Sequence, residues 1–330
     1  MELSEKIYRY LKKQDDYVSG QMMAEAFGVS RTGVWKAVKR MRERGIPVES
    51  GRTGYRLPDG LDIITASDVA DAYGMAALPY DLTVLDTVTS TNDVLRDAYR
   101  LDPTVNKVLI ARAQTAGRGR TGRSFDSPAD CGLYMSFLLP PDYQLDKSLV
   151  ITTMAAVAVS ESIEEVTDLA THIKWVNDIY IGDAKVAGIL TESSVNLESG
   201  RPEYIILGIG INTERPEELS EAVRPTATAL FPSGGHAAVK AKLAAAIVRR
   251  VEKYYRDLAD PHLVRYYDGK LYKKGQQIDC RLREKDPWTA AVVEGIDEHF
   301  RLILSMGGKR RIMSYGEFFI RPPHGGADDM

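Results

Sequence analysis

The chain has 330 residues, 44% of them hydrophobic and 27% charged, with a net charge of −3. This is an ordinary globular composition, long enough for two to three domains of roughly 100–200 residues each. Two isolated cysteines and five scattered histidines exclude a disulfide framework and a transition-metal site; with no leader and no apolar run of membrane length, a cytoplasmic protein without a membrane is expected.

Residues 1–58 carry 12 lysines and arginines against 7 acids, leaving −8 for the remainder, so the N-terminal end is read as the nucleic-acid end. Glu2–Lys13 reads as a helix with Leu3, Ile7, Tyr10 and Leu11 on one face. Ser19 caps a second helix, Gln21–Phe27; Gly28 closes it, and Ser30 caps a third, Arg31–Arg44. Ala24, Gly28 and Val34 stand where a helix-turn-helix needs a small residue, a left-handed turn and an apolar lock. The 3.6-residue period turns Val34, Val38 and Met41 to the core and leaves Arg31, Thr32, Trp35, Lys36 and Lys39 open for a major groove. Ile46–Leu57 then gives two short β runs around a Gly51–Gly54 turn, a wing whose Arg52 suits a phosphate. The alternative is a three-helix packing module with a solvated basic helix.

Beyond a hinge at Pro58–Gly60, Leu82–Val88 reads as a strand that runs into Ser90, Thr91 and Asn92 and a helix continuing through Arg100. Thr89 or Ser90 is a helix cap in one reading; in the other the free N–H and hydroxyl groups there hold a cyclic urea or amide. Lys107–Ala113 is the next strand. It leads to Gln114–Ser124, where Gly117, Gly119 and Gly122 alternate with Arg118, Arg120 and Arg123. This loop matches both a dinucleotide fingerprint and a Walker A variant, and each of those requires a helix next. The chain instead continues into a turn with Pro128 and a strand, Gly132–Leu139. Three mutually repelling arginines on a glycine backbone predict a polyanion-binding loop that is mobile when empty; a solvated basic hairpin is the alternative.

Asp146–Val166 reads as a buried helix, and His172–Ile181 as a strand interrupted by Asn177 and Asp178. Gly182 and Asp183 turn into Ala184–Leu190, an apolar strand opening with Lys185, which needs an anionic partner or ligand if buried. Tyr204–Asn212 is a core strand whose glycines permit close approach. A helix, Ala237–Leu258, precedes Gln276–Leu282, Trp288–Ile296, Arg301–Leu304 and Lys309–Ser314, read as an SH3-like β-barrel. Pro323–Met330 is a tail expected to fray.

Ser90-Thr91-Asn92, Gln114, Gly117–Arg123, Lys174–Asp178, Lys185–Leu190 and Gly208–Asn212 occur in the order and spacing of biotin protein ligases, and the chain resembles the bifunctional class that also represses biotin genes. The resemblance spans residues 2–322 and departs from the family's commoner residues at Thr121, Phe125 and Val176. It implies an α+β protein in parts: a winged helix-turn-helix over residues 1–60, a mixed α/β biotin/lipoate-ligase-like catalytic domain over 61–268, an SH3-like domain over 269–322, and the tail. It further implies that ATP with Mg²⁺ activates biotin as biotinyl-5′-AMP, and that a lysine on a carboxylase's biotin carrier domain receives it. By the family pattern Lys185, Arg118 and Arg120 are catalytic. Ser90, Thr91, Asn92, Gln114 and Gly119, with those three cations, hold biotin; Lys174, Asn177, Asp178 and Asn212 serve nucleotide and Mg²⁺. No other metal is implied. The polar stretch Glu214–Phe231 is similar to the family's adenosine-covering loop, with Asn212 as its anchor. Operator DNA and a ligand-promoted homodimer complete the implied partners. Two other functions fit parts of the sequence: a winged-helix sensor without turnover, and a ligase for another acid such as lipoate, whose Arg-Arg-x-Ser-Gly-Gly-Gly signature is absent.

Overall fold

A computed structural model describes residues 2–74, 78–103, 107–140, 148–195, 202–214, 228–233, 236, 238–281, 285–314 and 319–321. The chain divides into two compact units, the first centred on Met1–Ile63 and the second on Ile64–Ser233 and Val239–Met330. The C-terminal tail and most of Glu214–Phe231 lie outside the described residues.

The first unit packs α1 (Leu3–Leu11), α2 (Gly20–Phe27) and α3 (Arg31–Glu43) beside a two-residue hairpin, β1 (Glu49–Ser50) and β2 (Tyr55–Arg56). The expected caps form: Ser19 Oγ accepts from Met22 N at 3.1 Å and Ser30 Oγ from Gly33 N at 3.1 Å. Gly28 ends α2 at φ 64°, a left-handed position that costs other residues energy. Val34, Val38 and Met41 are buried as the periodicity requires. On α1, Ile7 and Leu11 are buried as expected, together with Tyr8, whose hydroxyl donates to Ile63 O at 2.9 Å, whereas Tyr10 lies half-buried, edge-on to Phe27.

In the second unit, α4 (Ala66–Tyr73) precedes β3 (Asp81–Val88), α5 (Thr91–Leu101), β4 (Lys107–Gln114), β5 (Gly132–Leu139) and α6 (Ser148–Thr167). Next come β6 (His172–Lys174), β7 (Asp178–Ile181), β8 (Ala184–Val195), β9 (Pro202–Asn212), α7 (Val239–Arg256) and α8 (Pro261–Gly269). The strands form one seven-stranded sheet ordered β3-β4-β5-β9-β8-β7-β6, in which only the β3–β4 pair is parallel. Opposite sheet faces carry different helices. On one, α6 is buried nearly all round and packs with α7 and α8 in the main core. On the other, Leu95 of α5 meets Leu109, Leu138 and Ile206, while Asn92, Phe125 and Lys185 lie over the glycines of β8 and β9.

Strands β10 (Gln277–Arg281), β11 (Thr289–Ile296), β12 (Leu302–Met306), β13 (Lys309–Met313) and β14 (Phe319–Arg321) form an antiparallel sheet ordered β13-β12-β11-β10-β14. Its edge strands β13 and β14 do not pair with each other among the described residues, so this is a five-stranded sheet rather than a closed barrel. Its apolar face is continuous with the main core, and Trp175 Nε1 donates to Phe300 O across the junction at 2.9 Å. Burial raises the thiol pKa of both free cysteines, Cys131 and Cys280, as expected of inert thiols. Among the described residues no helix is long and apolar enough to cross a membrane.

Candidate active site and nucleic-acid face

The open face of α3 is the expected one. Arg31, Thr32, Trp35, Lys36 and Lys39 are all exposed, as is Arg52 at the wing tip. Trp35 is 52% exposed with the Lys39 ammonium 5.8 Å from its ring centroid. A large aromatic left in water amid cations is costly unless a partner covers it.

In the second unit the chemistry gathers where α5, the β4–β5 loop, the β6–β7 turn and the first residues of β8 meet. Strand glycines make the floor. A Cβ at Gly208 would stand 2.5 Å from Asn92 Oδ1, and one at Gly210 2.6 Å from the Phe125 ring, so a side chain at either position would have to displace the group above it. One wall is uncharged. Ser90, Thr91 and Asn92 are buried at the start of α5, and the Ser90 side chain makes no cap bond. Gln114 Oε1 accepts from Thr91 N at 2.8 Å, while its amide donates to Ser127 Oγ at 2.8 Å.

Other lining residues are cationic. Lys185 Nζ lies 2.8 Å from Asp178 Oδ1 in an ion pair, with the two side chains 31% and 21% exposed. That contact lacks hydrogen-bond alignment, and Asp178 Oδ1 is buried without a hydrogen-bond donor. The sequence expectation of a buried lysine seeking an anion is thus met by a half-buried one that already has a carboxylate. Arg120 donates to Asn177 Oδ1 at 3.2 Å, and Asn177 is itself fixed by Nδ2 donating to Ile189 O at 2.9 Å. Lys174 sits over the Tyr180 ring at 5.7 Å. Burial, with Asp178 close by, pushes the Tyr180 and Tyr267 hydroxyls well above the usual tyrosine range; Tyr267 therefore stays protonated and donates to Val176 O at 3.2 Å. The turn holding these groups contains the Trp175–Val176 peptide in cis.

The loop is a closed hairpin. Gly119 N donates to Arg123 O at 2.7 Å, Phe125 N to Gly117 O at 2.9 Å and Gln114 N to Ser127 O at 3.0 Å. Its tip turns through Thr121 at φ 54° and Gly122 at φ 76°. Sequence reasoning has the arginines repelling one another, but each is sent to a different partner. Arg118 NH2 reaches Asp93 at 2.7 Å and Glu192 at 3.0 Å, Arg120 meets Asn177, and Arg123 stacks on Phe319 of β14 at 5.4 Å. Arg118 Nε is buried with no partner, leaving that guanidinium a donor for a ligand.

All the sequence-predicted site residues of this unit except Asn212 line one cavity. Asn212 stands at the end of β9 and instead anchors the return of the long polar stretch: its Nδ2 donates to Thr228 O at 3.2 Å and its O accepts from Leu230 N at 3.0 Å. Sequence reasoning missed Asp93, Ser136, Glu192 and Phe319. Ser136 and Glu192 had a signal, each a polar residue inside an apolar strand; Phe319 had none.

No cluster of three or more His, Cys, Asp or Glu side chains placed to hold a metal occurs among the described residues. A divalent cation that arrives with a nucleotide needs only one or two carboxylates, and Asp178 Oδ1, ion-paired with Lys185 but without an aligned hydrogen bond, fits that role.

Residues 84–212 match the biotin/lipoate A/B protein ligase family, and residues 4–56 match a helix-turn-helix domain. The chain is 35% identical over 245 residues to the bifunctional ligase/repressor BirA of Bacillus subtilis, covering 74% of this chain and 75% of that protein. It is 26% identical over 317 residues to the protein of the same name from Escherichia coli, covering 93% and 94%. Among solved structures, the biotin protein ligase from Aquifex aeolicus in complex with biotin and ATP superposes with a TM-score of 0.60 at 27% identity, covering 73% of this chain and 99% of that one.

Proposed function

The chain belongs to the biotin/lipoate A/B protein ligase family, and from that premise we propose the reaction its cavity carries out. It is an ATP-dependent biotin–protein ligase joined to a winged helix-turn-helix that represses biotin genes. The biotin carboxylate oxygen attacks the α-phosphorus of ATP, the bond to the β-phosphate breaks, and pyrophosphate leaves. The ε-amine of a lysine on a carboxylase's carrier domain then attacks the biotinyl carbonyl, and AMP departs.

Two anions must meet in the first step, so the main demand on the protein is positive charge at the junction. The observation that carries this reading is that one cavity is lined both by neutral hydrogen-bonding groups at Ser90, Thr91 and Gln114 and by cations at Lys185 and Arg120. The neutral groups suit a ureido ring, which offers both N–H and C=O groups and no charge. Lys185 bridges carboxylate and α-phosphate, exchanging Asp178 for the substrate anions. Arg118, Gly119 and Arg120 close over the ligand, with Asn92 behind Thr91. Lys174, Asn177 and Asp178 face the nucleotide, and Asn212 holds the covering stretch. Asp178 would hold the Mg²⁺ that accompanies ATP, which would neutralise phosphate charge. No side chain forms a covalent intermediate.

The exposed basic face of α3 and Arg52 support operator binding; since one recognition helix covers a half-site, a ligand-promoted homodimer in the cytoplasm completes the reading. The five-stranded C-terminal sheet is assigned as the SH3-like module of residues 269–322, beside domains at 1–60 and 61–268. The test is transfer: with biotin, ATP and Mg²⁺, the protein should label a purified carrier domain at its single acceptor lysine. A carrier with arginine at that position should stay unlabelled, and labelling that ignores the substitution would refute the assignment.

A further inference from the structure

Behind the neutral lining groups a chain of four side chains runs into the protein: Thr91 and Asn92 from α5, Ser136 from the middle of β5 and Glu192 from β8. No residue of the glycine–arginine segment belongs to it. Ser136 is fully buried and its Oγ meets two oxygens, Thr91 Oγ1 and Asn92 Oδ1, each at 2.6 Å. Asn92 Nδ2 donates to Glu192 Oε2 at 2.6 Å. Thr91 Oγ1 also lies 3.2 Å from Gln114 Oε1, the oxygen that accepts from the Thr91 N–H at 2.8 Å.

The protons available along this chain fix the direction of each bond. Two oxygens 2.6 Å apart repel unless a proton lies between them. The Glu192 carboxylate has no proton to give, so Asn92 turns its amide nitrogen to it and its oxygen to Ser136. The reverse orientation would set the amide oxygen against the carboxylate. Asn92 Oδ1 cannot donate either, so the single Ser136 proton goes to it. The Ser136–Thr91 contact is equally short and needs a proton of its own, and Thr91 is the only group left to supply it. Thr91 therefore donates inward to Ser136, and its longer approach to Gln114 is left without a proton. Thr91 lines the cavity beside Gln114, and its hydroxyl offers the cavity lone pairs only.

We propose that Ser136 is a specificity-determining positioning residue: by drawing the Thr91 proton into the core it makes Thr91 an obligate acceptor, so the site selects a ring N–H and rejects a ring oxygen at that point. That the ring is biotin's rests on the ligase reading; the order of the protons does not. A hydroxyl free to rotate would serve either group and would tell a cyclic urea from a cyclic carbamate poorly. With its proton committed, the same hydroxyl costs a ring oxygen both the lost bond and the repulsion of facing lone pairs.

Two measurements on the full-length protein test this. Neutron diffraction from deuterium-exchanged crystals should place the Ser136 deuteron toward Asn92 Oδ1 and the Thr91 deuteron toward Ser136 Oγ. Equilibrium titration compares biotin with its two cyclic carbamate analogues, each with one ring N–H replaced by oxygen; one of them should bind about a hundredfold more weakly than biotin. In Ser136→Ala the Thr91 proton is released. Biotin should then bind about tenfold more weakly, and its advantage over that analogue should shrink to about threefold or less. A role in packing alone would weaken both ligands together and keep the wild-type ratio, and the ratio does not depend on the fraction of folded protein. Ser136→Cys, whose thiol is a weak donor and a weak acceptor, should fall between. Adding Ser136→Ala to Thr91→Val should leave the ratio of Thr91→Val unchanged, since Ser136 acts through the Thr91 hydroxyl. A Ser136 deuteron pointing at Thr91, wild type that binds both analogues as tightly as biotin, or a wild-type ratio in Ser136→Ala would overturn the proposal. If wild type binds neither biotin nor the analogues, the ligase reading falls, while the deuteron positions still decide the order of the protons.

Discussion

Replacing Lys185 by Met keeps the alkyl stem, whose Cε stands 3.3 Å from the position of a Cβ on Gly188, and removes only the ammonium. Two unit charges about 4 Å apart interact by about 4 kcal/mol at an effective dielectric near 20, and losing a donor aimed at developing negative charge costs about 10²–10³-fold in rate. Adenylate formation should therefore fall about 10²–10³-fold. From sequence alone the substitution relieves a buried charge. The structure reverses that sign, because Asp178 loses its partner. With side chains 31% and 21% exposed, the pair is partly solvated, and the stability loss should stay near 1 kcal/mol. Lys185→Met with Asp178→Asn should recover the stability and none of the rate. Single-turnover quench-flow with labelled ATP measures the first quantity and urea unfolding the second. Adenylation within a few-fold of wild type would remove Lys185 from the centre of the mechanism.

Arg120→Gly breaks the contact with Asn177 at 3.2 Å and frees the mouth of the cavity, so activated biotin should escape and label bystander proteins in the same tube. Bystander labelling no greater than wild type would show that the loop does not retain the intermediate. Gly208→Ala places a methyl 2.5 Å from Asn92 Oδ1 and must displace the amide; KM for biotin should rise at least about tenfold with the fold intact. An unchanged KM would separate Asn92 from biotin binding. A non-hydrolysable biotinyl-adenylate analogue should shift sedimentation toward a dimer and tighten operator binding at fixed salt, and by reciprocity operator DNA should tighten the analogue. A monomer that stays monomeric, or an operator affinity that does not move, would break that link.

Much of this was legible in the sequence because the informative positions obey local rules. Caps at Ser19 and Ser30, the turn at Gly28 and the period of Val34, Val38 and Met41 each concern residues within four positions of one another, and all appear as expected. The helix-less context of the glycine–arginine loop was local too, and β5 follows it in the structure. Helices α4 and α8 were overlooked although their signals were present: Thr65 and Asp68 form a capping box, and Asp260 with Pro261 starts α8. What local rules could not supply was pairing at long range. Asn92 meets Glu192 a hundred residues away, and Arg123 meets Phe319 from the last described strand. The partners of the loop arginines are fixed by sheet order, which no spacing encodes. The same gap explains why a barrel was expected where the described strands leave β13 and β14 apart.

The central claim is that the cavity activates biotin with ATP. Pyrophosphate release, followed with purified protein, ATP and Mg²⁺ in the absence of any acceptor, measures it most directly. The account predicts a burst of about one pyrophosphate per site with biotin, no burst with lipoate, and none in Lys185→Met. Release that is independent of biotin, or equal with lipoate, would contradict it.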